Sequence, residues 1–283
     1  MAFATVSLAL LADGTVDPAA AIRCAEDLAR LAKAHLNAIV VVPPLVYPAM
    51  SDTGYLVATE MVAMLEKEDA VHKAEAEQTA ALIRSEGERI GVVASVEIFA
   101  AVYESPTPAL MRVARVSDIC VIAAPPPSEP RQRELAMNLL FGGGAPVLIA
   151  PTGWRRFDAP RKAIVAWDGS RVAARAVRDS APLLAMAEAV EIFSVQGEKD
   201  LSPEASAFDL AQHLSRSARN ISVNVIEVTA DGVAGTMREH ARRCGADLLV
   251  MGAYGHSRLR EFVLGGATRD MLDHIEMPTL MSH

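Results

Sequence analysis

The 283-residue chain contains few cysteines, few aromatic residues and fewer basic than acidic side chains. Its three cysteines, Cys24, Cys120 and Cys244, lie in apolar segments and show neither a CxxC pair nor the spacing expected of a metal site. We predict small buried thiols in a reducing compartment, with a redox role as the alternative. Aromatic residues make up 5% of the chain, but hydrophobic residues make up 51%, which excludes a disordered chain.

The shortage of basic residues limits the partners that the chain can have. Lysine and arginine number 27 against 35 acidic residues, and the net charge of −8 disfavours nucleic-acid binding, which needs a basic face. No apolar run reaches the roughly 18 residues of a membrane span, because three prolines interrupt the best candidate, residues 38–50. The first residues also lack the basic start of a signal peptide. The sequence therefore predicts a cytoplasmic protein with no nucleic-acid or membrane partner.

Short apolar runs alternate with longer segments of helical period, and the whole pattern occurs twice. In the first copy, strands are predicted at 4–10, 38–42, 93–99, 119–123 and 146–149, and helices at 18–34, 57–86, 108–116 and 131–140. In the second copy, strands are predicted at 163–166, 190–195, 222–228, 248–251 and 279–281, and helices at 171–187, 202–219, 233–244 and 267–274. Such alternation is typical of a parallel sheet with crossover helices, so we predict an α/β fold of two tandem, doubly wound, five-stranded parallel sheets with strand order 3-2-1-4-5.

Matching residues support an internal duplication. Asp13-Gly14-Thr15 before an alanine-rich helix corresponds to Asp168-Gly169-Ser170 before another, 155 residues later. Asp118 and Asp247 each stand directly before a late apolar strand. The segment between the copies contains proline, glycine and mixed polar residues, as short linkers do. We predict a first domain at 1–152, a linker at 153–160 and a second domain at 161–283.

A glycine-containing loop follows the fourth strand of the second copy. Its glycines Gly252, Gly255 and Gly265 have the spacing G-x2-G-x9-G, and a helix begins after them. Backbone amides at a helix N-terminus favour an anion, so the loop is a candidate phosphate cradle, although simple turn glycines would give the same pattern. In a sheet of this order, ligands bind beyond the first and fourth strands. Asp168 and Gly252 end those strands, and we expect them to face one crevice.

These features are similar to the universal stress protein family in its tandem form, and the run GAYGHSRLREFVLGG at 252–266 is the most specific part. The resemblance covers essentially the whole chain and implies a Rossmann-like fold of the adenine nucleotide alpha hydrolase type. It also implies an ATP site in which an acidic residue lies near the ribose, the second strand ends at the adenine and the loop holds the phosphates. The residues that match by position are Ala166, Trp167, Asp168, Val195, Met251, Gly252, Gly255, His256, Gly265, Gly266 and Thr268.

Two departures from the family pattern bear on binding. The family usually has Ser or Thr directly after its third glycine, whereas this chain has Gly266, and Thr268 is the nearest hydroxyl. The first copy has alanines and prolines, at 123–127, where the second has its glycines. Prolines remove backbone donors and fix φ, so we predict no nucleotide in the first copy, although Asp13 is present.

Several side chains near the loop have two interpretations. Trp167 could stack on an adenine or cap the core, while His256, Arg258 and Arg260 could reach phosphates or face solvent. We predict no metal site and no catalytic residue, since P-loop, HExxH and GxSxG motifs are missing.

Two functions follow as hypotheses. The first is a stress-response protein, not a dedicated enzyme, that binds one ATP per chain in its second copy, with or without Mg²⁺, and hydrolyses it slowly if at all. The alternative is an interaction module that binds no nucleotide, in which helix 57–86 supplies the partner surface. The resemblance further implies that the fifth strands of the two copies pair in a pseudo-dimer and that two chains can form a homodimer.

Overall fold

The structure, a computed structural model, describes residues 2–44, 55–100, 105–197, 206–253 and 266–283, with backbone only over 55–60. The N-terminal half contains β1 to β5 and the C-terminal half β6 to β10. The elements of the N-terminal half are β1 (Thr5–Leu11), α1 (Ala19–Ala32), β2 (His35–Val42), α2 (Tyr55–Ile90), β3 (Ala94–Ala100), α3 (Thr107–Ala114), β4 (Ile119–Ala123), α4 (Pro130–Gly142) and β5 (Val147–Ala150). All nine lie within a few residues of their predicted positions.

The C-terminal half repeats this succession with one extra break. Its elements are β6 (Lys162–Ala166), α5 (Arg171–Asp179), α6 (Ala181–Met186), β7 (Ala189–Gln196), α7 (Ala207–Leu214), β8 (Ile221–Glu227), α8 (Gly232–Cys244), β9 (Leu248–Gly252), α9 (Gly266–Asp273) and β10 (Thr279–Ser282). The single helix predicted at 171–187 is wrong, because Pro182 has no N–H to continue it and α6 starts anew at Ala181. The helix predicted at 202–219 is shorter, and residues 202–205 lie outside the described residues.

The strands within the described residues form one ten-stranded sheet, in the order β3-β2-β1-β4-β5-β10-β9-β6-β7-β8. Within each half the strands are parallel and follow the predicted order 3-2-1-4-5, which confirms the doubly wound α/β fold. The halves meet where β5 and β10 pair antiparallel, with Leu148 opposite Leu280. Because β6 and β9 are adjacent and parallel, their carboxyl ends are neighbours, as the prediction of a crevice requires.

Two aspartates do the same structural task in the two halves. The carboxylate of Asp118 accepts the backbone N–H groups of Ala4 and Thr5, at 2.7 and 2.9 Å. The carboxylate of Asp247 accepts those of Arg161 and Lys162, both at 3.0 Å. Each aspartate thus fixes the start of the first strand of its half to the start of the fourth. This shared anchor supports the duplication that the sequence indicated.

The segment predicted as a linker packs against the N-terminal half. Phe157 is 2% exposed within the hydrophobic core, and its backbone N–H donates to Asp27 of α1 at 3.1 Å. Arg23 of α1 donates to the carbonyl of Trp154 at 3.3 Å. These contacts tie the segment to α1. In the part of the chain that the structure describes, no helix combines the length and apolar character that crossing a membrane demands.

Candidate functional site

The crevice beyond β6 begins with a tight turn that starts α5. Asp168 Oδ1 accepts the N–H of Ser170 at 2.9 Å, and Gly169 has a φ of +75°, which favours glycine. Ser170 caps the helix, because its Oγ accepts the N–H of Ala173 at 3.2 Å. The turn therefore directs the N-terminus of α5, the positive end of its dipole, toward the edge where β9 ends.

Gly252 brings the end of β9 against this helix. A Cβ atom at position 252 would lie 2.6 Å from the backbone nitrogen of Ala173 and 2.7 Å from the carbonyl carbon of Val172. Carbon atoms do not approach backbone this closely, so only glycine fits between β9 and the first turn of α5. Asp168 and Gly252 consequently border one crevice between the ends of two adjacent strands.

Trp167, Ala166 and Met251 lie at the base of the crevice and are buried. Trp167 is 8% exposed, and it packs in the core on the face of the sheet that α1 and α5 cover. Its carbonyl accepts the hydroxyl of Ser194 at 2.7 Å, and its N–H donates to Phe193 at 2.9 Å. Of the two interpretations of Trp167, its packing matches the core position. Ala166 and Met251 belong to the core on the opposite face.

The remaining predicted residues divide into three groups. Val195 is half-buried near the end of β7, and Thr268 is 5% exposed in the first turn of α9. Gly266 is exposed, and a Cβ there would meet nothing within 4 Å. Gly255, His256 and Gly265 lie outside the described residues, as do Arg258 and Arg260.

The ends of the first and fourth strands in the N-terminal half carry different residues. Ala123, 4% exposed, ends β4, and its carbonyl accepts the side-chain amide of Gln132 at 3.1 Å. Asp13 forms a turn like that of Asp168, since its Oδ1 accepts the N–H and hydroxyl of Thr15 at 3.2 and 2.6 Å. Its other oxygen is buried and has no hydrogen-bond partner among the described residues. Where the C-terminal half has Gly252, the N-terminal half thus has alanine followed by prolines and a buried side-chain amide.

A second polar cluster, which the sequence interpretation missed, lies near the other ends of β6 and β7. The carboxylate of Glu191 contacts His240 Nε2 at 2.6 Å and Lys162 Nζ at 2.7 Å, and Asn224 donates to it at 3.3 Å. Burial alone would raise the pKa of Glu191, but the hydrogen bonds from these neighbours lower it below its ordinary value. The hydrogen bond to Glu191, followed by smaller contributions that include the Cys244 thiol, raises the pKa of Lys162. The carboxylate is therefore held in its ionised form.

Comparison with known protein families gives a match for the C-terminal half. Residues 160–283 match the sequence model of the universal stress protein family. The C-terminal half therefore carries the sequence pattern of a universal stress protein domain. A search of curated proteins finds no match.

Solved structures extend the likeness to the N-terminal half, at the level of fold. A universal stress protein from Archaeoglobus fulgidus DSM 4304 is 14% identical, with a TM-score of 0.69 over 98% of this chain and 97% of that chain. A candidate universal stress protein from Pseudomonas aeruginosa UCBPP-PA14 is 16% identical, with a TM-score of 0.59 over 99% of this chain and 93% of that one. The fold of these solved structures therefore extends over both halves, although the family model matches only the C-terminal one.

Proposed function

We propose that the chain is a stress-response protein whose C-terminal half binds one adenine nucleotide, ATP, in the crevice beyond β6 and β9. The close approach of Gly252 to the first turn of α5 is the observation that carries the proposal. It leaves a side-chain-free strand end beside a helix N-terminus, at the position where doubly wound sheets bind ligands. The bound ATP biases conformation or assembly, and the protein is not a dedicated enzyme.

The residue roles follow the family resemblance. Asp168 lies near the ribose, with Ala166 and Trp167 beside it, and Val195 closes the adenine side. The phosphates, with Mg²⁺ when it accompanies them, lie on the loop that begins at Met251 and Gly252, contains Gly255, His256 and Gly265, and ends with Gly266 and Thr268. Charge is consistent with a single site, since residues 1–153 carry 18 acidic and 11 basic side chains whereas residues 154–283 carry 17 and 16.

The domain organisation belongs to the same proposal. Domains at 1–152 and 161–283, with a short connection at 153–160, each contain one five-stranded unit, and the antiparallel pairing of β5 with β10 joins them as a pseudo-dimer. The first domain binds no nucleotide, because Ala123 and the prolines after it occupy the place of the glycine loop.

Titration calorimetry with ATP and with AMP tests the site. We expect one equivalent of ATP to bind and Asp168→Ala to weaken it at least about tenfold, as the loss of a charged hydrogen bond does. The matched Asp13→Ala variant, in the other half, should bind ATP like the wild type. Mass analysis of nucleotide released from freshly purified protein adds a test without mutation. No binding at millimolar ATP, or equal effects of the two variants, contradicts the proposal.

A second candidate function, that of an interaction module, rests on α2. This helix has 36 residues, and apolar side chains remain exposed along it: Met61 (39%), Met64 (72%), Val71 (58%) and Leu82 (43%). At about 100° per residue these four positions fall within one stripe of the helix surface. Glu68 and Glu75 lie in the same stripe, which is therefore mixed apolar and acidic. Exposed apolar side chains grouped on one helix face are typical of sites that bind another protein.

This surface would join two copies of the chain in a homodimer. Light scattering after size-exclusion chromatography should then give a dimer for the wild type and a monomer for Met64→Lys combined with Val71→Lys. Glu66→Lys, an exposed polar position on the same helix, is the control and should leave the mass unchanged. A monomeric wild type refutes the homodimer and leaves the nucleotide proposal untouched.

A further inference from the structure

The cluster around Glu191 contains three different metal-ligand types. A carboxylate oxygen of Glu191, a ring nitrogen of His240 and the Cys244 sulfur all lie within 4.8 Å of one another. His240 and Cys244 are four residues apart on α8 and therefore share one face of the helix, opposite Glu191 on β7. The side chains of Glu191 and His240 are only 8% and 12% exposed, so the atoms are held in place by the surrounding core.

The separations are close to those of a tetrahedral zinc site. Zinc bonds of about 2.0–2.3 Å to nitrogen, oxygen and sulfur place neighbouring ligand atoms about 3.3–3.6 Å apart. The 2.6 Å contact between Glu191 and His240 would open slightly, and the sulfur would move inward by at most about 1.5 Å. Rotations of the side chains are sufficient for these changes, because all three groups already converge.

The site has an open side. A cavity of about 400 Å³ adjoins it, lined by His240, Cys244, Asn224, Ile226, Glu227 and Arg243. A bound ion would therefore keep a fourth position for water or another small ligand. Lys162 Nζ contacts Glu191 Oε2 at 2.7 Å and also hydrogen-bonds the Cys244 side chain, which favours the ionised forms of both ligands and leaves Oε1 toward the histidine. Such outer contacts orient a carboxylate ligand.

We infer that Glu191, His240 and Cys244 form a binding site for one Zn²⁺ ion, with its fourth position facing the cavity. A mixed set of carboxylate, imidazole and thiolate suits this borderline-soft ion better than it suits Mg²⁺ or Ca²⁺. On binding, the thiol loses its proton and Nε2 of His240 uses its lone pair, so protons are released. The site is separate from the crevice, because Glu191 precedes Val195 by four residues, about 13 Å along β7.

Cobalt titration of untagged, chelator-treated protein provides the first test. We expect one equivalent of Co²⁺ to produce a thiolate-to-cobalt charge-transfer band, and Zn²⁺ to remove the band by displacement. Cys244→Ser should abolish the band, and His240→Gln should weaken Zn²⁺ binding at least about tenfold. The exposed His213 on α7 supplies the control, since His213→Gln should leave both signals unchanged. A band that persists in Cys244→Ser overturns the assignment and identifies adventitious binding.

Alkylation of the unmutated protein supplies a second test that does not depend on a variant folding. Cys24 and Cys120 are buried, whereas Cys244 is partly exposed, so a brief reaction with iodoacetamide should modify Cys244 alone. Burial raises the pKa of the Cys120 thiol to about 11, which keeps that thiol unreactive. One equivalent of Zn²⁺ should slow the modification of Cys244 at least about tenfold. An unchanged rate at saturating Zn²⁺ refutes the site.

Discussion

The two halves of the chain share their anchors and differ at the crevice. Asp118 and Asp247 hold the same strand starts, and Asp13 and Asp168 form the same turn with Gly14 and Gly169 at φ of +68° and +75°. At the end of β9, Gly252 contacts α5, whereas at the end of β4 the carbonyl of Ala123 accepts the side-chain amide of Gln132. The residues that hold the sheet together and the turn aspartate are thus repeated, whereas the glycine that ends the fourth strand is not.

The first strands of the halves also differ in length. Asp13 follows Thr5, which Asp118 anchors, by eight positions, but Asp168 follows the corresponding Lys162 by only six. The difference appears in the strands themselves, because β1 has seven residues and β6 has five. Relative to the common anchor, the turn of Asp13 therefore lies two residues further along. The N-terminal half therefore differs from the C-terminal half in the spacing between anchor and turn, as well as in the glycine that ends the fourth strand.

A side chain at position 252 should lower the free energy of unfolding more than any of the substitutions described below. In Gly252→Val, the new side chain meets backbone atoms of α5, which cannot move aside as a flexible side chain can. We expect a loss of about 3 kcal/mol or more in the free energy of unfolding, measured by urea denaturation. Gly266→Ala, where a Cβ has open space, is the control and should change stability little. A stable Gly252→Val protein would show that β9 and α5 are not in close contact.

Substituting the two anchor aspartates, Asp118 and Asp247, tests whether they contribute equally to the stability of the two halves. Asp118→Ala and Asp247→Ala each remove two hydrogen bonds to backbone N–H groups at the start of the first strand of their half. We expect each to lower the free energy of unfolding by about 1–2 kcal/mol. β4 and β9 are three strand spacings apart, about 14 Å, so the two losses should add in the double variant. Clearly unequal losses would mean that the resemblance of the anchors is superficial.

A buried glutamate distinguishes the N-terminal half. Glu26 of α1 is 3% exposed, its Oε1 lacks a hydrogen-bond partner within the described residues, and position 181, 155 residues on, is alanine. Burial, followed by the nearby charges of Glu86 and Asp27, raises the pKa of Glu26 to about 7. Between about pH 4.5 and pH 7 the folded protein binds the extra proton, so stability falls as the pH rises through that window.

Glu26→Gln should therefore stabilise the protein at high pH only. At pH 8 we expect a gain on the order of 1–2 kcal/mol, reduced by the neighbouring arginines, and below pH 4.5 the gain should vanish. Urea denaturation at pH 4.5, 6 and 8 measures the difference. Glu88→Gln, an exposed change on α2, should have no such pH dependence. A gain that is the same at all three pH values would assign the effect to packing rather than to charge.

Sequence patterns predicted most of the fold, because each strand has a strong local signature. The predicted bounds of β4 match the observed ones, since six apolar residues follow Asp118 and precede a run of prolines. The break at Ser180 was missed although Pro182 is visible, because the apolar period continues across it. The helical periodicity of apolar residues indicates only which face of a helix is buried. It does not change when a new helix begins at a proline and buries the same face.

The two candidate sites differ in how far the sequence could reveal them. The crevice was predictable, because a topological rule places the ends of the first and fourth strands together and Asp168 and Gly252 mark those ends. The zinc site was not, since Glu191 lies 49 positions before His240 and reaches it only through the register of the sheet. The four-residue spacing of His240 and Cys244 is visible in the sequence. Two such residues on one helix are common, however, and do not indicate a metal site unless a third ligand is known.

Introducing a hydroxyl at position 266 should have the smallest effect, and it tests the site proposed for the C-terminal half. Gly266 opens α9 and has room for a side chain, so Gly266→Ser should fold normally. A serine at a helix N-terminus can donate a hydrogen bond to a phosphate, and one such bond corresponds to about 1 kcal/mol, or about fivefold in affinity. Calorimetry should therefore show tighter ATP binding for Gly266→Ser and no change for Gly266→Ala. If both variants bind like the wild type, the phosphates lie away from the start of α9, and the glycine spacing before it reflects only a turn.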